Sequence, residues 1–293
     1  MHFADRVLEV CREKNSRLVV GLDPHWALIP DSAKRSPSEG GVLETLSSFL
    51  GGAVDACLPH AAAFKPQIAF FEQFGLDGLR ALTRVLDRIR KGGGLVIMDA
   101  KRNDIGSTAQ AYARAFFGAP DHAPPFPSDG LTLNAFLGYD GVAPFVENPE
   151  KGVFVLVKTS NPSSGKFQDL ALEGGGTVST AVADSVRSWN EKTLGQSGYG
   201  NIGAVIGATY PDHMRSLRVR MPQSLILVPG YGAQGGAEDA VRAAFNPDGL
   251  GALVNSSRGI LFPPDWDAKG FAAVEDAAVQ AKRNINRLAS QPD

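Results

Sequence analysis

Eight short apolar runs, rich in β-branched residues, recur along the chain, and each is followed by a turn and a stretch of helical periodicity. This alternation is typical of repeated βα units. The runs are hydrophobic through their middle, as in Leu-Val-Val-Gly-Leu and Gly-Val-Phe-Val-Leu-Val, which is expected of strands buried on both faces of a parallel sheet. Eight such units predict a closed (β/α)8 TIM barrel, an α/β fold. The predicted strands are 17–23, 62–67, 94–101, 130–136, 152–160, 201–209, 224–232 and 251–259.

A single barrel accounts for the whole chain. The 293 residues, 43% of them hydrophobic, are enough to bury one large core, and such barrels often run to roughly 250 residues as one unit. We therefore expect one domain over residues 1–293. The alternative is an open doubly wound sheet, but the first turn reads Gly-Leu-Asp-Pro-His and not the Gly-x-Gly-x-x-Gly of that fold. Helices are predicted over 43–58, 76–91, 178–192 and 271–288, with an extra helix over 3–13 that plugs the barrel bottom.

The charge and the cysteines narrow the class of partner. A formal net charge of -2 without a clustered Lys/Arg run argues against a nucleic-acid or membrane surface and favours a small-molecule ligand. Cys11 and Cys57 stand far apart without a Cys-x-x-Cys, so neither a disulfide framework nor a zinc site is predicted. The N-terminus lacks the apolar core of a signal peptide, and no apolar run has the length of a membrane span, so we expect a cytoplasmic protein.

Two segments are expected to be loops. Residues 118–129 hold four prolines and precede the fourth strand, which places them at the barrel bottom, away from any chemistry. Residues 161–177 are rich in Gly and Ser and follow the fifth strand, on the catalytic face. This second loop is either a lid or a merely mobile segment.

The carboxyl ends of the predicted strands are unusually polar. In a (β/α)8 barrel the active site is built from such ends, so these residues are the first candidates for chemistry. They are Asp23, Lys65, Asp99, Lys101, Asn134, Ser160, Thr209, the glycine-rich run from Gly230, and Arg258.

The third strand carries the most informative pair of charges. Its two-residue period puts Leu95, Ile97, Asp99 and Lys101 on one face, with the apolar pair deeper in the barrel. Asp99 and Asp104 could simply cap a helix. That interpretation leaves Lys101 unexplained, because a cation beside a helix start is unfavourable and buried charge is costly unless paired. We therefore favour a functional role for this cluster.

Two further features support a site for an anionic ligand. Lys65 stands in the apolar run Ala-Ala-Ala-Phe-Lys-Pro-Gln-Ile-Ala-Phe-Phe, where it needs an anionic partner, either Asp99 or a substrate group, unless it snorkels to solvent. The run 230–236 offers backbone N–H groups free of side-chain obstruction, and Arg258 follows the eighth strand. Loops after strands seven and eight commonly bind phosphate in barrels, and a guanidinium matches phosphate oxygens.

These motifs, taken together, resemble the orotidine 5′-phosphate decarboxylase family, and in particular its longer bacterial branch. The resemblance spans nearly the whole barrel, and its most specific part is the Asp-x-Lys-x-x-Asp motif preceded by a strand lysine. The matching segments are Gly-Leu-Asp-Pro (21–24), Phe-Lys-Pro-Gln (64–67), Asp-Ala-Lys-Arg-Asn-Asp-Ile-Gly-Ser-Thr (99–108), Lys-Thr-Ser-Asn-Pro (158–162), Pro-Gly-Tyr-Gly-Ala-Gln-Gly-Gly (229–236) and Ser-Arg-Gly (257–259). Two positions depart from the family pattern, because Asn103 and Ser257 stand where many relatives have Gly.

The resemblance implies the reaction and a role for each residue. It implies conversion of orotidine 5′-phosphate (OMP) to UMP and CO2, the last step of de novo pyrimidine biosynthesis, with no metal or organic cofactor. It also implies a homodimer in which Asp104 and Thr108 reach the partner's site. The implied catalytic residues are Lys65, Asp99, Lys101 and Asp104, and the implied substrate-binding residues are Asp23 and Lys65 (ribose), Ser160 (pyrimidine), Gln234 and Arg258 (phosphate), and Thr108.

The chemistry suggests a role for Lys101 and leaves three rivals. Loss of CO2 from C6 creates a poorly delocalised carbanion, which a fixed ammonium such as that of Lys101 would stabilise and then protonate. The rivals are a Mg2+-dependent decarboxylase of keto-sugar phosphates, a Schiff-base aldolase using Lys65 or Lys158, and a non-catalytic nucleotide-binding barrel. Chelator sensitivity, borohydride trapping, and binding without turnover would identify them in turn.

Overall fold

Eight parallel strands lie in the part of the chain that the computed structural model describes, residues 1–230 and 238–291. Their bounds are Leu18–Leu22 (β1), Ala63–Pro66 (β2), Ile97–Arg102 (β3), Gly130–Leu133 (β4), Gly152–Lys158 (β5), Ile202–Ile206 (β6), Ile226–Val228 (β7) and Ala252–Ser256 (β8). They form one sheet in the order β2-β1-β8-β7-β6-β5-β4-β3. Parallel bridges from Phe64 to Val96 and from Gln67 to Asp99 join the two ends. The sheet therefore closes, and the predicted (β/α)8 barrel is confirmed.

Helices alternate with the strands and cover the outside of the barrel. Their bounds are Phe3–Glu13 (α1), Gly41–Cys57 (α2), Ala69–Glu72 (α3), Gly75–Lys91 (α4), Gly106–Phe117 (α5), Gly165–Gln168 (α6), Val178–Asn190 (α7), Pro211–Arg220 (α8), Glu238–Arg242 (α9), Arg258–Leu261 (α10), Trp266–Lys269 (α11) and Phe271–Ala289 (α12). Short 3-10 turns occur at Trp26–Leu28, Asp31–Ala33, Pro37–Glu39, Tyr139–Gly141 and Ala143–Phe145. In the described residues no helix combines the length and apolarity needed to cross a membrane.

The two faces of each strand belong to two different cores. The barrel interior holds one cluster of packed side chains, which includes Val19, Ile97 and Leu227. Their chain neighbours Val20 and Met98 belong to a second cluster, between the sheet and the helices. The two-residue period of a strand produces this separation, and burial on both faces explains why the runs read as continuously hydrophobic.

Helix α1 closes the amino-terminal end of the barrel, as the sequence predicts. Phe3 is buried and meets Phe154 of β5 edge to face, with 6.1 Å between ring centroids. Gly152 leaves the space for this ring, since a Cβ there would lie 2.0 Å from Phe3. The barrel bottom is therefore filled by side chains, and the open end is the carboxyl edge of the strands.

The two predicted loops lie on opposite ends of the barrel. Within 118–129, Phe126 and Ser128 donate backbone hydrogen bonds to the last turns of α5, and the Asp129 carboxylate accepts from the Val96 N–H at 2.8 Å, before β3 and β4 begin. This loop is at the bottom, as predicted. The loop 161–177 contains α6 and a bridge between Ala171 and Thr177, and it lies over the end of β5.

Candidate active site

Four charged side chains from three neighbouring strands meet at the carboxyl edge of the barrel. Lys65 in β2 places its Nζ 2.9 Å from Oδ2 of Asp99 in β3 and 3.8 Å from Oδ1 of Asp23, which follows β1. The Nζ of Lys101 lies 2.6 Å from Oδ1 of Asp99. The result is a row of alternating charges, Asp23, Lys65, Asp99 and Lys101, which we call the charge cluster.

Burial and charge act in opposite directions on the pKa values of this cluster. Burial alone would raise the pKa of Asp99, but the positive charges of Lys65 and Lys101, with the hydrogen bonds that they donate, hold it well below its usual range. Burial alone would lower the pKa of Lys65, but Asp99 and Asp23 raise it above its ordinary value. Asp99 is therefore an anion and Lys65 a cation at neutral pH.

The backbone at Lys101 departs from the regular strand that the sequence predicts. Leu95 and Ile97 do point into the barrel, but the pairing of β3 with β4 shifts between Met98 and Arg102, and Lys101 has a φ of +47°. The left-handed region is unfavourable for a residue with a Cβ, and strained residues of this kind often occur at active sites. This irregularity turns the half-exposed Lys101 side chain back over Asp99.

A cavity beside the charge cluster is lined by both polar and apolar side chains. The cavity has a volume of about 190 Å3. Its polar lining is Lys65, Asp99, Lys101, Thr132, Thr159, Ser160 and Asn161, and its apolar lining is Leu156, Val205, Leu227 and Pro229. A small ring with polar edges would fit such a cavity, and Ser160 is among the residues that line it.

Asp104 and Thr108 lie outside this cavity. Asp104 precedes α5, and its Oδ1 accepts a hydrogen bond from the Ile105 N–H at 2.9 Å. Thr108 is exposed in the first turns of α5. Neither side chain is among those that line the cavity of its own chain. Asn134 and Thr209, two other polar strand ends, are also exposed and do not line it.

The predicted phosphate site is described only in part. Arg258 follows β8 and is exposed at the start of α10, and Gly230 follows β7 with a φ of +80°, a conformation that favours glycine. Gln234 and the rest of the predicted glycine-rich run, 231–236, lie outside the described residues.

The two departures from the family pattern cause no backbone strain. Ser257 has a φ of -119°, and Asn103 is not among the residues with positive φ, so neither position needs glycine. The Ser257 side chain occupies space above β1, where a Cβ on Gly21 would lie 1.8 Å from its Oγ. With serine at position 257, the position that must lack a side chain is therefore Gly21.

Sequence reasoning missed Thr132 and understated Lys158. The Thr132 hydroxyl in β4 donates to Oδ1 of Asp99 at 2.9 Å. The signal was a polar residue within an apolar strand run. Lys158 is buried at the end of β5, where its Nζ binds both carboxylate oxygens of Asp169 at 2.7 and 2.8 Å. A Schiff base needs a neutral amine, so ion pairing disfavours Lys65 and Lys158 as aldolase nucleophiles.

A closed parallel barrel with a buried Lys and Asp cluster beside a cavity at its carboxyl edge is the architecture of a barrel enzyme. Residues 16–269 match the family model described as "Orotidine 5'-phosphate decarboxylase / HUMPS family". Orotidine 5′-phosphate decarboxylase of Rhodopirellula baltica is 45% identical over 94% of this chain and 93% of its own. The protein of the same name from Roseiflexus castenholzii is 40% identical over 98% of both chains.

Solved structures agree with these sequence matches. The structure of Leishmania donovani OMP decarboxylase superposes with a TM-score of 0.78 at 33% identity and covers 99% of each chain. The chain therefore belongs to the orotidine 5′-phosphate decarboxylase / HUMPS family. The predicted resemblance and the predicted enzyme class, a carboxy-lyase, are confirmed.

Proposed function

We propose that this protein converts OMP to UMP and CO2, the last step of de novo pyrimidine biosynthesis. The observation that supports this most directly is the contact of the Lys101 ammonium with Asp99, 2.6 Å between Nζ and Oδ1, in the lining of a cavity of about 190 Å3. A cation fixed by a permanent anion is suited to a reaction that develops negative charge on carbon, because it needs no reorganisation as that charge appears.

In the proposed step the bond between C6 and the carboxylate breaks, and its electron pair remains on C6. Lys101 stabilises this carbanion and donates an Nζ proton to it, which leaves UMP, CO2 and a neutral amine that water reprotonates. Asp99 orients Lys101 and, lying near the substrate carboxylate, disfavours the bound substrate relative to the transition state. Lys65 holds Asp99 in place from the other side, at 2.9 Å.

The remaining contacts of the nucleotide follow the layout of the barrel edge. Asp23 and Lys65 would hold the ribose hydroxyls, and Ser160 the pyrimidine ring, since Lys65 and Ser160 line the cavity and Asp23 lies beside Lys65. Arg258, with Gln234 from the part of the chain between β7 and α9, would bind the phosphate. Phosphate contacts far from C6 supply binding energy that positions the ring.

We also propose a homodimer in which Asp104 and Thr108 complete the partner's site. Both lie on the catalytic face but outside the cavity of their own chain. Two large apolar side chains of this region are exposed: Ile105, next to Asp104, is 54% exposed, and Phe136, in the loop after β4, is 88% exposed. The two loops adjoin, since a Cβ on Gly141 would lie 3.0 Å from the Asp104 carbonyl oxygen. An apolar surface of this kind is expected of a subunit contact.

A reducing cytoplasm stays our proposal for the location of the enzyme. Cys11 and Cys57 are both free and buried, and burial raises the pKa of each thiol to about 12. These thiols act as small apolar core residues, which is usual for cytoplasmic proteins.

The test is the loss of orotate absorbance when OMP is incubated with the purified protein in excess EDTA. The wild-type protein should consume OMP, and Lys101→Ala should be slower by more than about 1000-fold while it still binds UMP. Lys192→Ala, an exposed lysine beyond the end of α7, is the matched control and should keep full activity. If EDTA abolishes turnover, a sugar-phosphate decarboxylase is favoured. If Lys101→Ala retains substantial turnover, the proposed role of Lys101 is wrong.

A further inference from the structure

Thr132 is the one polar side chain of β4, and it is almost fully buried, with 1% of its surface exposed. Its Oγ1 lies 2.9 Å from Oδ1 of Asp99. The same oxygen lies 3.0 Å from the backbone nitrogen of Ala100 and 3.0 Å from that of Lys101. A single hydroxyl therefore contacts the carboxylate at the centre of the charge cluster and two successive peptide groups of β3.

The directions of these three hydrogen bonds follow from the chemistry of a hydroxyl. Backbone N–H groups can only donate, so Oγ1 accepts from both Ala100 and Lys101 with its two lone pairs. Its own proton is then left for Asp99, which is an anion and can only accept. The Thr132 hydroxyl therefore uses its one proton and both lone pairs, and only one assignment of donors and acceptors is possible.

These contacts coincide with the irregularity that places the Lys101 side chain. In a regular parallel pair, the N–H groups of consecutive residues point to opposite sides of the strand. Here two consecutive N–H groups converge on one acceptor, at the point where the pairing of β3 with β4 shifts and the φ of Lys101 is +47°. The Thr132 hydroxyl accepts from both N–H groups at the point where the regular pairing is interrupted.

We infer that Thr132 is a positioning residue of the active site, which fixes the left-handed backbone of Lys101 and the rotamer of Asp99 in one step. This inference rests on the proposed decarboxylase function. Oδ1 of Asp99 accepts from both Thr132 and Lys101, so the hydroxyl determines which way the carboxylate faces and where the ammonium lies above it. We expect its contribution to fall mainly on the rate of the chemical step, because its side-chain hydrogen bonds go to Asp99, Ala100 and Lys101 and directly to none of the residues proposed to bind the nucleotide.

The test compares Thr132→Val with Thr132→Ser. Valine keeps the shape and β-branching of threonine and removes all three hydrogen bonds, whereas serine keeps the hydroxyl and removes a methyl group. Thr132→Val should lower kcat by about 100-fold, the effect expected when a reacting group is misplaced by roughly 1 Å, with KM and the Kd of UMP within about threefold of wild type. Thr132→Ser should retain kcat within about threefold.

A pH profile separates positioning from general damage to the fold. Loss of the Thr132 hydrogen bond removes a donor to the charged form of Asp99, so the acidic limb of the kcat profile should move to higher pH in Thr132→Val and not in Thr132→Ser. A Thr132→Val enzyme with kcat within a few-fold of wild type, or a Thr132→Ser enzyme as slow as Thr132→Val, would overturn the inference. If Thr132→Val does not fold, Thr132→Ala is subject to the same prediction.

Amide hydrogen exchange tests the inference without any turnover. Exchange at Ala100 and Lys101 should be at least about tenfold faster in Thr132→Val than in wild type, whereas Thr132→Ser should match wild type. Unchanged exchange at both amides would overturn the inference. If the wild-type protein does not consume OMP, the proposed function fails on its own, and the exchange result still decides the positioning role of Thr132.

Discussion

Asp99 accepts three hydrogen bonds, from Lys65, Lys101 and Thr132, and this number explains how a carboxylate remains charged in a nearly buried place. Removing a carboxylate from water is costly, and only paired charges and donors compensate for that cost. The same three donors fix the orientation of the carboxylate. At the scale of the residue, stability and chemistry therefore depend on the same atoms.

Replacing Asp99 with Asn should lower the free energy of unfolding by roughly 3 kcal/mol at pH 7, because Lys65 stays buried with only Asp23 nearby, at 3.8 Å. The folded state lowers the pKa of Asp99, so its contribution is present above the unfolded pKa of about 3.9 and is lost as pH falls below it. The difference between wild type and Asp99→Asn should therefore narrow by about 1 kcal/mol at pH 3. Urea unfolding of both proteins at a series of pH values measures this difference in the free energy of unfolding.

The same experiment contains its own control. Between about pH 6 and pH 9 Asp99 is ionised in both the folded and the unfolded wild-type protein, so its own contribution to the stability of the wild-type protein should stay constant there. A difference that is equally large at pH 3 would contradict the low pKa of Asp99.

Individual charges of the site could be predicted from sequence, but their supporting contacts could not. Asp99 and Lys101 directly continue an apolar strand, and Lys65 interrupts one, so each is conspicuous in the printed sequence. The role of Thr132 depends on the register between β3 and β4 and on a shift in that register. A local alternation of polar and apolar residues contains no information on register, which is set by tertiary packing.

At the scale of the element, the loop after β5 is held to the barrel by a small set of polar contacts that we call the β5 clamp: Lys158, Thr159, Gln168 and Asp169. Besides the Lys158 and Asp169 pair, the Gln168 side chain accepts from the Thr159 N–H at 2.9 Å and donates to the Thr159 hydroxyl at 2.8 Å. The clamp fixes the chain on both sides of Ser160. Gly207 packs against Ser160, since a Cβ there would lie 2.9 Å from its backbone nitrogen.

Asp169→Asn should loosen this clamp, because a neutral amide cannot balance the buried ammonium of Lys158. We expect the Kd of UMP to rise about tenfold and the loop 161–177 to be cleaved faster by proteases, since opening of the loop costs less free energy. Calorimetry with UMP and limited proteolysis measure the two effects. Lys166→Gln removes an exposed charge from α6, the short helix that directly precedes Asp169, and is the control. Equal affinity in the two variants would mean that the clamp does not position the ring site.

The presence of a helix or strand was predicted more reliably than its first and last residues. Helix α1 runs over Phe3–Glu13, as expected, because its apolar face repeats at helical spacing. Strand β3 begins at Ile97, three residues after the predicted start, and β7 spans only Ile226–Val228. The apolar runs continue beyond the hydrogen-bonded ladder because flanking residues are also buried, so hydrophobicity alone overestimates strand length.

At the scale of the molecule, the two ends of the barrel have different tasks. The bottom is closed by α1 and by the buried guanidinium of Arg218, which donates to the carbonyl oxygens of Ala244, Met221, Ser224 and Gly251. The top carries the charge cluster, the cavity, and the exposed side chains of Ile105 and Phe136. Eight βα units predict this division within one chain. The proposed second subunit cannot be deduced from such a pattern, because the exposed residues of the proposed interface have no local periodicity.

The shared site can be tested by mixing two inactive variants, Lys101→Ala and Asp104→Ala, after unfolding and refolding them together. If Asp104 acts in the partner's site, each mixed dimer contains one site with both wild-type residues and one with neither. Random pairing at equal concentrations makes half of the dimers mixed, so about a quarter of the wild-type activity should return. If Asp104 acts in its own chain, every site lacks one residue and no activity returns.

The control for this mixing experiment is the Lys101→Ala, Asp104→Ala double variant, refolded with Asp104→Ala. No site in that mixture can contain both wild-type residues, so it should remain inactive even though subunits exchange equally well. Recovery should also decline on dilution, because separated subunits lose the Asp104 of their partner. Dilution-dependent activity in the first mixture and none in the second would follow only from a site built by two subunits. If neither mixture recovers activity, Asp104 acts in the site of its own chain.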